Sequence, residues 1–295
     1  AVRASGGTSN NTRGINAGGD TSPTRIDVMD FIQIASTGNA VDFGDQSSQR
    51  STMAAGASPS RLVWAAGGAA GPVDASNIID YVTIASLGDA ADFGDSSNDY
   101  EDLSGTSSAT RMTFGGGYQQ PSGGVSTDIE KLEIASTGNS VQFTDLSVAR
   151  QGLGGTSNGV FAIYAGGVTP SVSNVIDFHS IPSGGTATDF GNLTISGYRR
   201  SAGSSGHGGL DYSALQRPSV TYMPGSGRGL FSKGADNVSA ITMININTLG
   251  NATTFGDAVA GNGHNSSSTG GSATRGFMLG SGATGDTDKN TYTYV

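Results

Sequence analysis

The chain has no cysteine and only three lysines among its 295 residues. Without cysteine there is no disulfide, no thiolate-bound zinc and no thiol nucleophile. The lysines and arginines are scattered along the chain, and the formal net charge is -9. Nucleic-acid-binding proteins instead cluster their basic residues on one face. We therefore expect no nucleic-acid partner.

Long hydrophobic runs are also missing. No segment approaches the roughly 18 apolar residues that identify a membrane-spanning helix, so we expect no membrane span. The first residues, Ala1-Val2-Arg3, include neither methionine nor a charged-then-apolar leader. Secretory signal peptides have that charged-then-apolar pattern. We expect a chain that is cleaved or that belongs to a longer product.

Glycine, in contrast, is abundant, with 48 residues. Because the glycines follow no strict three-residue period, a collagen-like helix is excluded. The apolar residues form short runs bounded by Gly, Pro, Asn and Ser, a pattern that is typical of strands. No window shows the 3.6-residue period of an amphipathic helix. These observations predict an all-β fold.

The chain contains an internal repeat. Four similar segments and a looser fifth one occupy residues 28–45, 78–95, 128–145, 175–192 and 238–257. Each segment has a phenylalanine near its end: Phe43, Phe93, Phe143, Phe190 and Phe255. Repeats of about 20–50 residues are typical of propellers and solenoids, because one unit cannot bury its apolar face alone.

Each unit contains four short strand patterns, as expected for one blade of a β-propeller. A glycine pair, degenerate in the last two units, ends the second strand six times: Gly18-Gly19, Gly67-Gly68, Gly116-Gly117, Gly166-Gly167, Lys233-Gly234 and Leu279-Gly280. We therefore predict one domain over residues 1–295, a six-bladed β-propeller. A parallel β-helix is the alternative, although its repeats are shorter.

The two ends of the chain look complementary. The sixth unit stops after its third strand, Tyr292-Thr293-Tyr294-Val295, and residues 2–7 match a first strand. We predict that the termini meet in one blade, because this pairing would close the ring and cover two strand edges.

The Asp-Phe-Gly-Asp motif occurs at residues 42–45 and 92–95. A calcium loop needs alternating oxygen ligands with a glycine at the sixth place, which this motif lacks. We favour a structural interpretation, in which the phenylalanine is buried between blades and Gly-Asp forms a turn. A metal site is the less favoured alternative, and no cofactor is expected.

An insertion, His207 to Pro224, lengthens the fifth unit. It contains our candidates for contact with a partner or receptor: His207, Tyr212, Arg217 and Tyr222. Tyr and Arg are common among the residues that dominate binding energy at interfaces. The structural alternative is a plug or a subunit contact. His179 aligns with Ile32, Val82 and Leu132, so we expect it to be packed in a strand.

The order of a glycine-pair strand, an Asp-Tyr strand, an aromatic strand and an arginine resembles the kelch repeat, with phenylalanine in place of the usual tryptophan. Residues 77–86 and 92–95, with Thr110-Arg111 or Thr274-Arg275-Gly276 before the glycine strand, are more closely similar to repeat proteins of marine tailed cyanophages. Residues 205–210 and 217–228 resemble segments that flank such repeat arrays.

This resemblance implies a structural or tail-fibre protein of the virion, exposed on the particle surface, without catalytic residues. We expect a non-enzymatic, homo-oligomeric module that binds other virion proteins and attaches to a host-surface glycan. One alternative is a purely architectural or decoration module. Another is a glycan depolymerase, which would need two carboxylates roughly 5–10 Å apart.

Overall fold

The computed structural model describes residues 2–21, 24–69, 74–204, 206–210, 227–232, 240–257, 268–271 and 276–279. Within these ranges the chain forms strands and turns and no helix. The all-β prediction is therefore confirmed. Among the same residues, no helix has the length and apolar character needed to cross a bilayer.

The strands follow the repeat along the chain. The first unit forms β1 (Gly6–Ser9), β2 (Arg13–Asp20), β3 (Arg25–Gln33) and β4 (Val41–Asp45). The second forms β5 (Arg50–Ser51), β6 (Ala54–Ala57), β7 (Arg61–Ala69), β8 (Ser76–Thr83) and β9 (Ala91–Glu101). The third forms β10 (Ser104–Ser107), β11 (Arg111–Gly115), β12 (Tyr118–Gln120), β13 (Gly124–Val125), β14 (Asp128–Glu133) and β15 (Val141–Asp145).

The later units continue this pattern. The fourth forms β16 (Gly154–Ser157), β17 (Phe161–Ala165), β18 (Val168–Thr169), β19 (Ser171–Val172), β20 (Val175–Ser180) and β21 (Gly184–Asn192). The fifth forms β22 (Ala202–Ser204), β23 (Arg228–Ser232), β24 (Ala240–Asn245) and β25 (Thr253–Asp257). The last described strands are β26 (Ser268–Gly271) and β27 (Gly276–Leu279).

Within the described residues, four units form separate four-stranded antiparallel sheets. Their orders are β1-β2-β3-β4, β10-β11-β14-β15, β16-β17-β20-β21 and β22-β23-β24-β25. The second unit, β6 to β9, lies in a seven-stranded sheet because β9 continues to Glu101 and pairs with β12. Strands β26 and β27 form a two-stranded sheet. The sequence predicted six blades, whereas four separate four-stranded sheets are seen.

The sheets are arranged as a propeller-like ring. The first strand of each unit contacts the first strands of two other units, in the cyclic order β1, β6, β10, β16, β22, β26 and back to β1. The turns that join first to second strands and third to fourth strands lie on one face, which we call the lower face. The turns that join second to third strands, and one unit to the next, lie on the upper face.

The predicted meeting of the termini in one blade is wrong for the amino-terminal strand. Strand β1 pairs with β2 of its own unit, from Gly6 opposite Ala17 to Ser9 opposite Gly14. The intervening turn is closed by Asn10, whose side-chain oxygen accepts hydrogen bonds from the amides of Thr12 and Arg13. Closing this short loop costs less entropy than pairing with a distant strand. Residues 292–295 lie outside the described residues.

The core lies between neighbouring sheets. Phe43 and Phe93 are 2% exposed and Phe190 is 4% exposed, so their predicted burial is confirmed. Each packs edge-on against an aromatic ring of the third strand, with centroids 5.7–5.9 Å apart. Phe143 is only partly buried, and the ammonium of Lys131 lies 4.8 Å from its ring. Phe255 is 37% exposed, contrary to the prediction, and Met243 occupies the corresponding third-strand position.

The predicted Gly-Asp turn is also wrong, because Gly44 and Asp45 belong to β4. Gly44 has a φ of 143°, and a Cβ there would lie 2.5 Å from the carbonyl oxygen of Gly88. The amide of Asp45 donates to Asp89 Oδ1 at 3.1 Å, and that of Gly88 donates to the Phe43 carbonyl at 2.8 Å. The motif therefore fixes the fourth strand against a turn of the next unit, and this contact covers part of the exposed edge of that strand.

Candidate binding site around the central channel

The six first strands surround a central channel. Five of them, in the part of the wall whose side chains are described, contain only Gly, Ala, Ser and Thr: β1, β6, β10, β16 and β22. Small residues are required here because six strands approach one axis. The channel contains an upper cavity of about 100 Å³ and a lower cavity of about 60 Å³, which share several wall residues. Both are smaller than the 300–1,000 Å³ typical of ligand pockets.

The lower end of the channel is closed by residues 206–210, which we call the plug. His207 Nε2 lies 3.2 Å from Ser9 Oγ, and the amide of Gly208 donates to the Ser107 carbonyl at 3.0 Å. Leu210 is completely buried. The start of the insertion is thus packed against the first strands of the ring, and His207 lines the lower cavity.

The insertion replaces a turn that is short in other units. Residues 10–12, 58–60, 108–110 and 158–160 join first to second strands, whereas residues 205–227 join β22 to β23. Its root therefore lies on the axis of the lower face. The other candidate contact residues, Tyr212, Arg217 and Tyr222, lie outside the described residues, and their role stays a prediction.

The upper mouth of the channel is encircled by one residue from each of five units, which we call the mouth belt. Its members have left-handed φ values between 53° and 66°: Ala4, Thr52, Asp102, Gly152 and Arg199. The Thr52, Gly152 and Arg199 amides donate to the carbonyls of Ala4, Asp102 and Gly152 at 2.6–2.8 Å. The Asp102 amide donates to Thr52 Oγ1 at 3.2 Å.

This backbone conformation costs about 1–3 kcal/mol at each non-glycine residue. Such conformations persist only where surrounding contacts enforce them, and they concentrate at ligand and active sites. The mouth belt is therefore a constrained opening, and it is a candidate binding site.

The mouth of the channel contains an ion pair between Asp102 and Arg199. Arg199 Nη2 lies 3.1 Å from Asp102 Oδ2, and the two side chains are 42% and 11% exposed. Burial, the largest single effect, opposes the charge on Arg199, but the charge and hydrogen bond of Asp102, together with the charges of Tyr198 and Glu101, raise the arginine pKa. Burial, followed by the charges of Asp102 and Asp74, raises the pKa of the adjacent Glu101 to about 7.

Beneath the upper face, buried polar pairs, which we call joints, connect the segment that leads into a unit to the third strand of that unit. Arg50 pairs with Asp80, and Arg150 Nη2 lies 2.5 Å from Asp177 Oδ2, with all four side chains completely buried. Burial lowers the pKa of both arginines, and the paired carboxylates oppose that shift. Sequence reasoning missed these joints. The available signal was the recurrence of arginine at 50, 150 and 200 with an acid about 30 residues after two of them.

A second set of arginines links units near the lower face. Arg13, Arg61 and Arg111 each donate to a backbone carbonyl of the next unit, at Ile84, Ile134 and Ile181, over 2.6–3.0 Å. Each guanidinium also lies 4.7–5.4 Å from an aromatic ring centroid. These arginines connect blades, which explains their even spacing along the chain.

His179 is packed, as the repeat alignment predicted, and is 3% exposed. Its ring stacks on Tyr164 with centroids 5.8 Å apart and meets Phe143 edge-on. Desolvation lowers the pKa of His179, so the neutral form is favoured. Among the described residues, no group of three or more His, Asp or Glu side chains is arranged to hold a metal ion.

These features describe a β-propeller-like scaffold with a plugged channel and a constrained mouth. No protein-family model and no curated protein matches the chain.

Proposed function

We propose that the chain is a six-bladed propeller module of a phage particle, non-enzymatic and homo-oligomeric, that attaches to a host-surface glycan through its lower face. The origin in a virion rests on the resemblance of residues 77–86, 92–95, 205–210 and 217–228 to cyanophage repeat proteins and their flanking segments. The blade count is supported by the closed cycle of six first strands, of which β26 is the last.

The binding role is supported by the position of the insertion, which leaves the ring on the axis of the lower face. The plug contacts Ser9 and Ser107, which belong to two different units. It therefore anchors the insertion to the ring. Anchoring both ends of a binding loop reduces the entropy it loses when a partner binds.

The surroundings of this root suit a polar ligand. The turns between third and fourth strands expose similar short sequences, Ala-Ser-Thr-Gly-Asn at 35–39 and 135–139 and Ala-Ser-Leu-Gly-Asp at 85–89. Their hydroxyl and amide groups are suited to hydrogen-bonding glycan hydroxyls. The close contacts of Gly88 with Gly44 and of Gly138 with Gly94, with hydrogen bonds to the Phe43 and Phe93 carbonyls, hold the turns at 85–89 and 135–139 against the preceding unit.

Two deletions test the proposal. Removing residues 208–223 removes most of the plug, whereas removing 211–224 keeps Gly206 to Leu210 in the channel. We expect the shorter deletion to leave the ring folded and to weaken host adsorption and binding on a glycan array. Thr110→Ala, in a short turn on the same face, is the control and should bind normally.

The outcomes separate the alternatives. Loss of particle incorporation with normal glycan binding indicates an architectural module. Release of reducing sugar from host polysaccharide indicates a depolymerase. Unchanged adsorption and incorporation after the shorter deletion would refute the role of the insertion.

A further inference from the structure

Three fourth strands of the ring lie against the same kind of turn in the next unit. The glycine of that turn donates its amide to the carbonyl of the repeat phenylalanine over 2.7–3.0 Å, in the pairs Gly88–Phe43, Gly138–Phe93 and Gly250–Phe190. The residue two positions after the glycine donates to the carbonyl two positions after the phenylalanine over 2.8–3.0 Å, in the pairs Ala90–Asp45, Ser140–Asp95 and Ala252–Asn192. We call this arrangement the strand-turn contact.

The strand-turn contact selects a phenylalanine followed by a glycine. The phenylalanine shares a buried cluster with two aliphatic residues at the end of the next third strand or just after it, in the sets Phe43, Val82 and Ile84; Phe93, Leu132 and Ile134; and Phe190, Ile244 and Ile246. Each of these aliphatic side chains is at most 4% exposed. A Cβ on the following glycine would lie 2.5–2.6 Å from the carbonyl oxygen of the turn glycine, so this position requires glycine.

The first unit contains the same turn, but within the described residues no fourth strand lies against it. Its sequence at 36–40, Ser-Thr-Gly-Asn-Ala, differs from that at 136–140 only in the last residue. Gly38, Asn39 and Ala40 make none of these hydrogen bonds to a described residue. The turn of the first unit therefore presents the half of a strand-turn contact that receives the strand.

The aliphatic side chains beside this turn are exposed to match. Ile32 and Ile34 are partly exposed and Ala40 is exposed. The side chains at the positions of the two isoleucines in three other units are buried: Val82, Ile84, Leu132, Ile134, Ile244 and Ile246. The first unit therefore has an unfilled apolar site of the kind that holds a phenylalanine elsewhere in the ring.

The ring determines what can fill this site. Strand β26 contacts both β22 and β1, so the unit before the first is the sixth. The sequence has six first strands but five repeat phenylalanines, and none of the five belongs to the sixth unit. A second folded copy cannot supply the strand in the same geometry, because a unit docked as a ring neighbour would place the second ring on the axis of the first. An isolated extended segment meets no such obstacle.

We propose that the first unit binds an extended segment of another polypeptide that has the pattern Asp-Phe-Gly-Asp. The phenylalanine of the segment packs on Ile32 and Ile34, and its carbonyl accepts a hydrogen bond from the Gly38 amide. The Asn39 side chain accepts from the amide of the last aspartate, as the equivalent side chain of the third unit does at 3.0 Å. In such strand addition, main-chain hydrogen bonds give affinity and side-chain sites give specificity. The proposal does not rest on the insertion or on glycan binding, so either proposal can fail without the other.

The test is an NMR titration of the full chain with a peptide that has the sequence of residues 90–97, Ala-Ala-Asp-Phe-Gly-Asp-Ser-Ser. We expect saturable shifts of the amides of residues 38–40 and of the Ile34 methyl groups. The peptide with Phe93→Ala loses the apolar contact, and the peptide with Gly94→Ala gains a clash with the turn. Each of these peptides should bind at least about tenfold more weakly.

Variants of the chain then locate the contact. Asn39→Ala removes the side-chain acceptor and should weaken peptide binding about three- to tenfold, the range expected for one hydrogen bond. Ile34→Ala removes much of the apolar site and should weaken binding about tenfold. Asn139→Ala makes the same change in a turn that already holds β9, so it is the matched control and should bind the peptide as the wild type does.

Absence of saturable shifts at residues 38–40 would overturn the proposal. So would equal binding of the original and the two substituted peptides, or binding that Asn39→Ala and Ile34→Ala leave unchanged. If the same amides shift when the concentration of the chain alone is raised, a second copy fills the site, and the assignment to another polypeptide is overturned.

Discussion

The joint at Arg150 and the joint at Tyr100 occupy the same place in successive units but use different chemistry. Arg150 donates to Asp177, whereas the Tyr100 hydroxyl lies 3.2 Å from Glu130 Oε1. A serine also donates to the acid in each joint, Ser147 to Asp177 and Ser97 to Glu130. Tyr100 is paired with glutamate, the longer acidic side chain, and Arg150 is paired with aspartate, the shorter one.

The comparison shows that a buried carboxylate at this position is paired with a donor, and that the donor need not be charged. The fifth unit departs from this pairing. Arg200 follows Arg150 at the same spacing, but Thr242 occupies the position of the acid. Burial lowers the pKa of Arg200 to about 10.

The largest expected effect is the loss of stability when a buried ion pair loses one partner, which should exceed the loss for an exposed pair. Arg150→Met leaves Asp177 without its cation in a buried site, so it should lower the free energy of unfolding by about 3–5 kcal/mol. Arg150→Met combined with Asp177→Leu should recover much of this loss, because both charges are removed. Urea denaturation measures both.

The control for this comparison is Glu133→Gln, in the exposed Arg111–Glu133 pair. An exposed pair contributes up to about 1 kcal/mol, so this variant should unfold close to the wild type. Equal costs for Arg150→Met and Glu133→Gln would contradict the assignment of Arg150 to a buried joint.

A smaller effect tests whether the two joints are interchangeable. Tyr100→Phe removes one donor to Glu130 and should cost about 1–3 kcal/mol. The double change Tyr100→Arg with Glu130→Asp recreates the Arg-Asp pairing of the neighbouring joints. Thermal unfolding should show it to be more stable than Tyr100→Arg or Glu130→Asp alone, and a less stable double variant would show that the joints are not equivalent.

The smallest effect concerns Glu101, a partly buried carboxylate beside the joints. Its pKa in the folded chain is raised from 4.5 to about 7, chiefly by burial. The folded state therefore binds the proton more tightly, and this group reduces stability as pH rises from about 4.5 to about 7. In Glu101→Gln, the melting temperature should therefore change less with pH between about 4.5 and 7 than it does in the wild type. An unchanged pH dependence of the melting temperature would contradict this assignment.

Sequence reasoning performed best where the repeat carried the signal. The all-β class and the buried Phe43, Phe93 and Phe190 follow from a pattern that recurs with the same neighbours. It failed at Phe255, which has the same local motif and yet is 37% exposed. The corresponding third-strand position holds Met243, where the units of Phe43, Phe93 and Phe190 have an aromatic ring.

For the candidate site, the sequence drew attention to the insertion but not to the channel mouth. His207 stood out because the insertion breaks the repeat. Ala4, Thr52, Asp102 and Arg199 share no residue type, so no motif connects them. They are related only by a left-handed backbone at equivalent positions, which is a property of the folded ring.

The sequence by itself determined that the chain forms repeated units of short strands, because short apolar runs bounded by glycine, without a helical period, can be buried only by packing one unit against the next. Only the tertiary structure decided how the units join, which end of the channel is closed and which strand Gly6–Ser9 accompanies. Those outcomes depend on contacts between residues about 50 or more positions apart, such as Ser9 and His207, and on which pairings close the shortest loops.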